Sequence, residues 1–451
     1  MMRTRKVVND MSKNINNLNF TRECAMNYAE EMHNNGSDTM TIPDCYSSID
    51  GNVSFDSIEY FDECKTVIIS PNVKTIPEYC FAGTDIRSVT MLGVELVSFS
   101  AFEGCRELVN LCAPNVKSIK ENGFADCEKL SEVYMPNLSS ISYLAFDNTN
   151  ITTFDVSESM LFIGAGALRN PRSQITIELG KATPFIEGLS SDIFYTADVE
   201  NNRYDTINGS LYSKDHTVLY SYCQPIDEHT DILPSTAVIE RYAFCNAKAD
   251  KIVIPESVLL IKDKAFVDAN IETLEIRSRN VSIENNAGLS RADVSALSFP
   301  NDHSYLRTAE NYIINGDTLI YLKIREADIE KDLFMFPDTT PIRHIAKESI
   351  CYKLNKKISV FFPNDLVQLD HDPFSHGSSE NISEVILHSN ISEINDEAFE
   401  HFTGKVNLPI PADNYYSKEG FLYGAEDIIF PINLARYRLY KPEAFSDEED
   451  Y

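Results

Sequence analysis

His371, Asp372, His376 and His388 are the nearest this sequence comes to a metal-binding set. Zinc requires such side chains to converge at about 2.0–2.3 Å, their orientation fixed by further hydrogen bonds. Here His371 and His376 flank Phe374 on what reads as a turn, so exposed loop histidines are the expectation and no metal is assigned. The 10 cysteines form no C-x-x-C pair and no dense framework. Cys105, Cys127 and Cys245 each follow a phenylalanine by one to three residues, which suits a small buried hydrophobe better than a bridge. That usage fits a reducing environment or indifference to redox state. Cys112 sits at an alternating position that faces solvent if the segment is a strand. A reactive thiol needs a basic neighbourhood, and this acidic chain offers little of one. There is no G-x-S-x-G, G-x-x-x-x-G-K-[ST], H-E-x-x-H or G-x-G-x-x-G, and Gly180-Lys181 lacks the upstream glycine of a phosphate loop. No catalytic residue and no cofactor is expected.

The elements that would position any site repeat themselves. A small residue followed by a large apolar one returns as Ala101-Phe102, Gly123-Phe124, Ala145-Phe146, Ala167-Leu168, Ala243-Phe244, Ala265-Phe266 and Ala398-Phe399. Four positions before each pair stands a branched apolar residue: Val97, Ile119, Ile141, Ile163, Ile239, Ile261 and Ile394. A period of roughly 20–29 residues is the signature of a leucine-rich-repeat solenoid. Such arrays stack coils that contact only their neighbours and present extended surfaces, so binding rather than catalysis is the expectation. Phe102, Phe124 and Phe146 occupy one place per coil and should form a continuous internal column.

Ahead of each coil lies a short alternating stretch: Val89-Thr90-Met91, Leu111-Cys112-Ala113, Val133-Tyr134-Met135 and Phe154-Asp155-Val156. Alternation of this kind reads as a strand. Pro114 and Pro136 end two of them, because proline cannot donate to a ladder. The segment after each strand, Ile119 to Phe124 for example, should turn its Ile and Phe inward from a turn or a short 3₁₀ segment. The outward strand positions are then Thr90, Cys112, Tyr134, Asp155, Val253, Glu275 and Ile386. They are the candidate face for a protein ligand, since exposed aromatic and aliphatic residues rimmed by charge resemble an interface core. The tips Asn208-Gly209 and Asn315-Gly316 are second candidates, as loops set on a rigid scaffold often carry recognition.

The chain has 451 residues, 43% hydrophobic and 24% charged, with a formal net charge of −30. Acidity of that size repels phosphate backbones, which are bound through Lys and Arg. Nucleic acid and anionic membrane are therefore poor partners, while basic proteins or loosely held divalent cations remain compatible. Met1 to Lys6 is basic, but an Asn-rich segment follows where a secretory signal would be apolar, so no cleavable signal is expected. No apolar run approaches the roughly 20 residues of a spanning helix, and no membrane insertion is expected.

The organisation read from these patterns begins with an N-terminal segment, 1–38, where Thr21 to His33 reads as a helix that could cap the first coil. A first repeat block spans 39–188. At 189–231 the rhythm breaks, with Asn208-Gly209 between alternating apolar residues, the strongest short hairpin signal. A second block follows at 232–300 and a second hairpin insert at 301–333, centred on Asn315-Gly316. The third block spans 334–411, then a C-terminal hairpin or cap at 412–440 and an acidic tail at 441–451.

The runs Ala101-Phe102-Glu103-Gly104-Cys105 and Gly123-Phe124-Ala125-Asp126-Cys127, each followed by a leucine (Leu108, Leu130), resemble the BspA-like leucine-rich repeats. The segment Ile207 to Lys214 is similar to the hairpin insert common in that family. The resemblance covers about residues 60 to 430. It implies a repeat solenoid, mostly β with short turns or 3₁₀ segments, right-handed, with a parallel sheet on one face and interrupted by β-hairpin inserts. It also implies adhesin-type binding to host or microbial proteins, with no enzymatic activity. The missing signal peptide and membrane anchor point instead to an intracellular scaffold as the rival reading.

Overall fold

The structure is a computed structural model. It describes residues 18–170, 172–188, 191, 193–223, 232–300, 306–309, 311–336, 341–352, 356–369, 371–374, 381–399, 402–409, 415–418, 421–423 and 428–430. His376, the far N-terminus and the acidic tail lie outside these residues. The chain divides into two compact units. One comprises Met1–Thr230 with Tyr242–Phe244, and the other Asp231–Arg241 with Cys245–Tyr451.

The first unit opens on a helix, Arg22–Asn35. Thr21 caps its start by accepting the Cys24 N–H on Oγ1 at 3.4 Å, and Gly36, at φ 61°, ends it in the left-handed region. Ala25, Ala29 and Met32 are buried at helical spacing, so one face of the helix joins the core of the first coils. Beyond it the chain winds as a β-solenoid. Thr39–Ile42, Thr66–Ile69, Ser88–Met91, Asn110–Cys112 and Glu132–Tyr134 pair in parallel as one ladder. Along each of the first three, two residues are buried and two face outward, the period-2 rule of a strand with one wet face.

A second parallel ladder stands where the sequence suggested a turn or 3₁₀ segment. It consists of the two-residue strands Thr75–Ile76, Leu96–Val97, Ser118–Ile119, Ser140–Ile141, Phe162–Ile163 and Phe185–Ile186. Each buries its second residue, which is the branched apolar position of the repeat. The pairing arises because that residue must point inward at the same height in every coil, which brings successive backbones into ladder distance.

The small-Phe pair lies on the turn after this ladder. Phe81, Phe102 and Phe124 donate their backbone N–H groups to the carbonyls of Ala101, Gly123 and Ala145 in the next coil, at 2.8, 2.9 and 2.8 Å. Inside, Phe55, Phe81, Phe102, Phe124 and Phe146 stack with centroids 4.5, 5.0, 4.9 and 5.4 Å apart and planes 4–6° from parallel. All five are fully buried. At Gly123 even a Cβ would lie 2.5 Å from an Ile119 methyl of the same coil, so the small residue makes room for the branched one four positions before it. The residue before the pair adopts positive φ in coil after coil: Tyr79 (53°), Ser100 (50°), Asn122 (55°), Leu144 (53°) and Gly166 (62°). All 10 cysteines are free thiols. Cys105 and Cys127 are fully buried and donate to the carbonyls of Phe81 and Phe102 at 3.0 and 3.1 Å.

Thr153–Asp155, Ile175–Glu178 and Ile193–Thr196 form a separate three-stranded parallel sheet. An antiparallel hairpin follows, Tyr204–Ile207 against Ser210–Ser213, with Val218–Ser221 added beside it. Asn208 and Gly209 take φ of 50° and 80°, as a two-residue type I′ turn requires. A Cβ on Gly209 would meet the Phe194 ring at 2.3 Å, so the tip is pinned to the sheet behind it.

The second unit repeats this plan. Lys248–Ile254, Asn270–Ile276 and Asp293–Ser298 make one parallel ladder, and Val238–Ile239, Leu260–Ile261 and Ser282–Ile283 the other. A second hairpin, Leu306–Ala309, Tyr312–Asn315 and Thr318–Ile324, leads into further coils. Their ladders are His344–Ile345, Gln368–Leu369 and Glu393–Ile394, and Leu333–Met335, Ile358–Phe361, Ile382–Ile386 and Lys405–Asn407. The strands Tyr416–Lys418, Phe421–Tyr423 and Ile428–Phe430 form a third antiparallel set. The aromatic core is less regular in these coils: the Phe362 and Phe374 planes are 46° apart and those of Phe374 and Phe402 29°.

Candidate protein-binding face

Parallel pairing in register carries one outward residue per strand into a row. In the first ladder of the first unit, Thr41, Ile68, Thr90 and Cys112 follow one another as direct partners, and Cys112 pairs with Tyr134. The neighbouring row is Thr39, Thr66, Ser88, Asn110 and Glu132. Glu132 is the one charged side chain in these two rows. The rest are small hydroxyl, amide, thiol, aliphatic and aromatic groups, in a chain of which 24% is charged. Tyr134 is 59% exposed and Ile68 36%. The result is a surface on which Glu132 is the lone charge, with the exposed Tyr134 standing on the same end strand.

Three of the sequence-derived candidates, Thr90, Cys112 and Tyr134, are therefore brought together. Asp155 is not in their row. Its strand pairs with Ile175–Glu178 rather than with Glu132–Tyr134, and Asp155 faces Glu178 directly. The Asp155 carboxylate holds the Glu178 carboxyl above its usual range, through a hydrogen bond between the two and mutual repulsion. Val253 and Glu275 are direct partners in the second unit. Glu275 is engaged there: Arg277 Nε lies 2.7 Å from Oε1 and Lys251 Nζ 2.6 Å from Oε2, which holds its carboxyl below the usual range. Ile386 pairs with Phe361, which in turn pairs with Met335, 59% exposed.

Ile68, Met335 and Phe361 escaped the sequence reading. Each sits inside a continuous apolar run, Val67-Ile68-Ile69 or Phe334-Met335-Phe336 or Val360-Phe361-Phe362, where hydrophobicity alone does not mark the outward position. Of the hairpin tips, Asn208, Asn315 and Gly316 are exposed and Gly209 is buried. His371 is exposed, and Asp372 is buried with its Oδ1 accepting the Phe374 N–H at 3.0 Å. His388 is half-buried, its Nδ1 3.5 Å from the Ser389 hydroxyl. Among the described residues no group of three or more His, Cys, Asp or Glu is placed to hold a metal ion. Among them, too, no helix is long and apolar enough to cross a membrane.

Coils that pair in parallel, bury one branched residue per short strand and stack one phenylalanine per turn define a leucine-rich-repeat solenoid. Comparison with known families matches the BspA type leucine rich repeat region (6 copies) at residues 10–109, 51–176, 95–212, 217–338 and 336–445. The chain belongs to the BspA-type leucine-rich-repeat family. Among solved structures it is similar to the pneumococcal vaccine antigen PcpA, at 18% identity and a TM-score of 0.39, over 77% of this chain and 75% of that one. It is also similar to a leucine-rich repeat protein from Eubacterium ventriosum, at 15% identity and a TM-score of 0.41, over 85% and 94% of the two chains. A third is a leucine rich cell surface protein from Faecalibacterium prausnitzii, at 18% identity and a TM-score of 0.34, over 84% and 79%. No curated protein matches the chain.

Proposed function

We propose that this is a non-enzymatic protein-binding repeat protein, and that the first ladder of its first unit is the binding face. The observation that carries the reading is the pair of in-register rows from Thr39 and Thr41 to Glu132 and Tyr134, almost without charge and ending on an exposed tyrosine. Depletion of charge with enrichment of Tyr is the compositional mark of an interface core, and Tyr anchors are frequent hot spots. The engaged Glu275 makes the corresponding face of the second unit a weaker candidate. Attachment at a cell surface is the use that membership of this family suggests for such a face.

The experiment is a pull-down from host and microbial protein extracts with the full chain and with Ile68→Asp/Tyr134→Asp. Both positions are outward, so the double change leaves the fold intact, as circular dichroism will verify. Loss of the recovered partner supports the face; undiminished recovery removes it. Labelling of intact cells with a membrane-impermeant reagent tests the surface assignment separately. Protein confined to the cytosol would turn the reading toward an intracellular scaffold.

A further inference from the structure

The second ladder of the first unit changes character along its length. Its outward residues run in register as Thr75, Leu96, Ser118, Ser140, Phe162 and Phe185. Charge lies beside the early strands, where Glu95 meets Lys117 at 2.7 Å and Lys74 at 3.9 Å. At the far end hydroxyls and ion pairs give way to apolar groups. Phe162 and Phe185 are direct partners, their ring centroids 6.2 Å apart and their planes 7° from parallel, and Phe185 is 53% exposed. Leu161, just ahead of Phe162, is 71% exposed, and its carbonyl accepts the Phe185 N–H at 2.8 Å.

A half-buried cation stands at the edge of this apolar surface. The Arg203 guanidinium carbon lies 6.0 Å from the Phe185 ring centroid and 5.1 Å from that of Tyr204, and aromatic faces attract such a group. Its mounting is firm. The Arg203 N–H donates to Asn201 Oδ1 at 3.0 Å, and the buried Asn201 donates through Nδ2 to the Gly180 and Ala182 carbonyls at 3.0 and 2.9 Å. Tyr204 is fully buried, its hydroxyl donating to the Pro184 carbonyl at 2.6 Å. A guanidinium carries five N–H donors, and Nη1 reaches the Thr183 carbonyl at 3.4 Å. Among the described residues no carboxylate pairs with it. In a chain where 69 acidic residues outnumber 39 basic ones, a cation left without a carboxylate points to a ligand that brings one.

We propose that Leu161, Phe162, Phe185 and Arg203 form a second docking surface, for an extended peptide segment that carries one carboxylate and two large apolar side chains. The spacing selects an extended segment. From the guanidinium to the Phe185 ring is 6.0 Å, and from that ring to Phe162 is 6.2 Å. Alternate side chains on one face of a strand stand roughly 6.6 Å apart. A peptide with Asp or Glu at one position and Leu or Phe two and four positions further on sets its carboxylate on Arg203 and its apolar groups against Phe185, Phe162 and Leu161. The planar fork of an arginine grips a carboxylate through two parallel N–H bonds, and arginine and aromatic anchors carry much of the energy of such contacts. The net charge of −30 repels a strongly acidic partner, so the surface takes a single carboxylate rather than a run of them. It lies on a different ladder from Tyr134 and does not rest on the function proposed for that face.

The test titrates the full chain, methyl-labelled at leucine, with the peptide acetyl-Glu-Ser-Leu-Ser-Leu-amide near neutral pH. The expected result is a saturable shift of the Leu161 methyl resonances. Affinity should fall on the order of tenfold or more in Arg203→Gln, and equally when the peptide carries Gln in place of Glu. The peptide exchange uses the unaltered chain, so that comparison holds even if Arg203→Gln folds poorly. Arg203→Lys should restore only part of the loss, because an ammonium lacks the fork. Ile68→Asp/Tyr134→Asp should bind the peptide as the unaltered chain does, which keeps this surface separate from the first-ladder face. Three results overturn the proposal: Leu161 methyls that stay unmoved, equal affinity for the Glu and Gln peptides, or a shift produced by decanoate and not by the peptide, which would make the surface a site for fatty acids.

Discussion

Phe102 and Phe124 lie face to face, their ring centroids 4.9 Å apart and their planes 5° from parallel, although 22 residues of chain separate them. Each sits on a turn whose backbone is bonded to the next coil, so the rings cannot shift without breaking that ladder. Phe124 has a phenylalanine on both sides, Phe102 and Phe146, and no exposure to water.

Phe124→Ala should therefore leave a hole in the middle of the column and cost about 3–5 kcal/mol. Chemical denaturation gives the global value. Amide exchange shows where the damage is felt, with the coils carrying Phe102 and Phe146 losing protection first, because stability in a stacked array is shared between neighbours.

Gly166 takes φ of 62° at the place where Leu144 and Tyr79 take 53°. A Cβ there would lie 2.8 Å from Leu144 Cδ2. Gly166→Ala should destabilise by about 1–2 kcal/mol, mostly through the left-handed backbone. Lys264, at φ 61° in the second unit, offers the reverse change. Lys264→Gly should stabilise by up to about 1 kcal/mol, the relief of strain being partly offset by the entropy of a glycine in the unfolded chain. Melting temperatures of the two variants should move in opposite directions.

Asp215 organises the bend between two strands of the first hairpin. Its Oδ1 accepts from the Ser213 and Thr217 hydroxyls at 2.7 and 2.8 Å and from the Thr217 N–H at 3.2 Å. These bonds lower its carboxyl from 3.8 to about 2. A depressed carboxylate adds stability that is complete above its unfolded value and is lost as pH falls through the folded one. The bend should hold at pH 4 and loosen towards about 2. The Thr217 amide resonance should titrate with that midpoint, and Asp215→Asn should abolish the step.

Asp155 and Glu178 work in the opposite sense. Glu178 is raised above 4.5 in the folded chain by its neighbour, so the unfolded chain releases this proton first as pH rises. Folding loses stability through that window and remains weakened above it. Glu178→Gln should raise the melting temperature at pH 7 and leave it unchanged at pH 3. Equal shifts at both pH values would mean that the pair does not interact.

Much of this architecture was legible in the residues. The small-Phe spacing marked the column, the Asn208-Gly209 dipeptide marked a hairpin, and the helix read over Thr21 to His33 spans Arg22–Asn35, with Thr21 as its cap rather than its first residue. The second ladder was not legible, because two residues such as Ser118–Ile119 are too few to show an alternation. The left-handed residues were hidden too: nothing in Tyr79, Leu144 or Lys264 announces positive φ, which the closing turn imposes on them. The candidate face was read in part. Thr90, Cys112 and Tyr134 share a row because their strands are consecutive partners. Asp155 falls outside it because its strand pairs only forward in the chain, a choice of register that alternation within one strand cannot reveal. The Lys251–Glu275–Arg277 ion pairs likewise emerge only when Val253 and Glu275 are set side by side.

The turn-to-turn bonds make length itself a quantised property of this protein. Losing or gaining a single amino acid between Phe102 and Phe124 would throw every inward side chain of that winding out of step. Excising the whole interval would bring Phe102 onto Phe146, which already has the partner, the height and the orientation to receive it. Such a chain is free to grow or shrink by entire windings, through duplication or loss of matching stretches of its gene, without redesigning what remains.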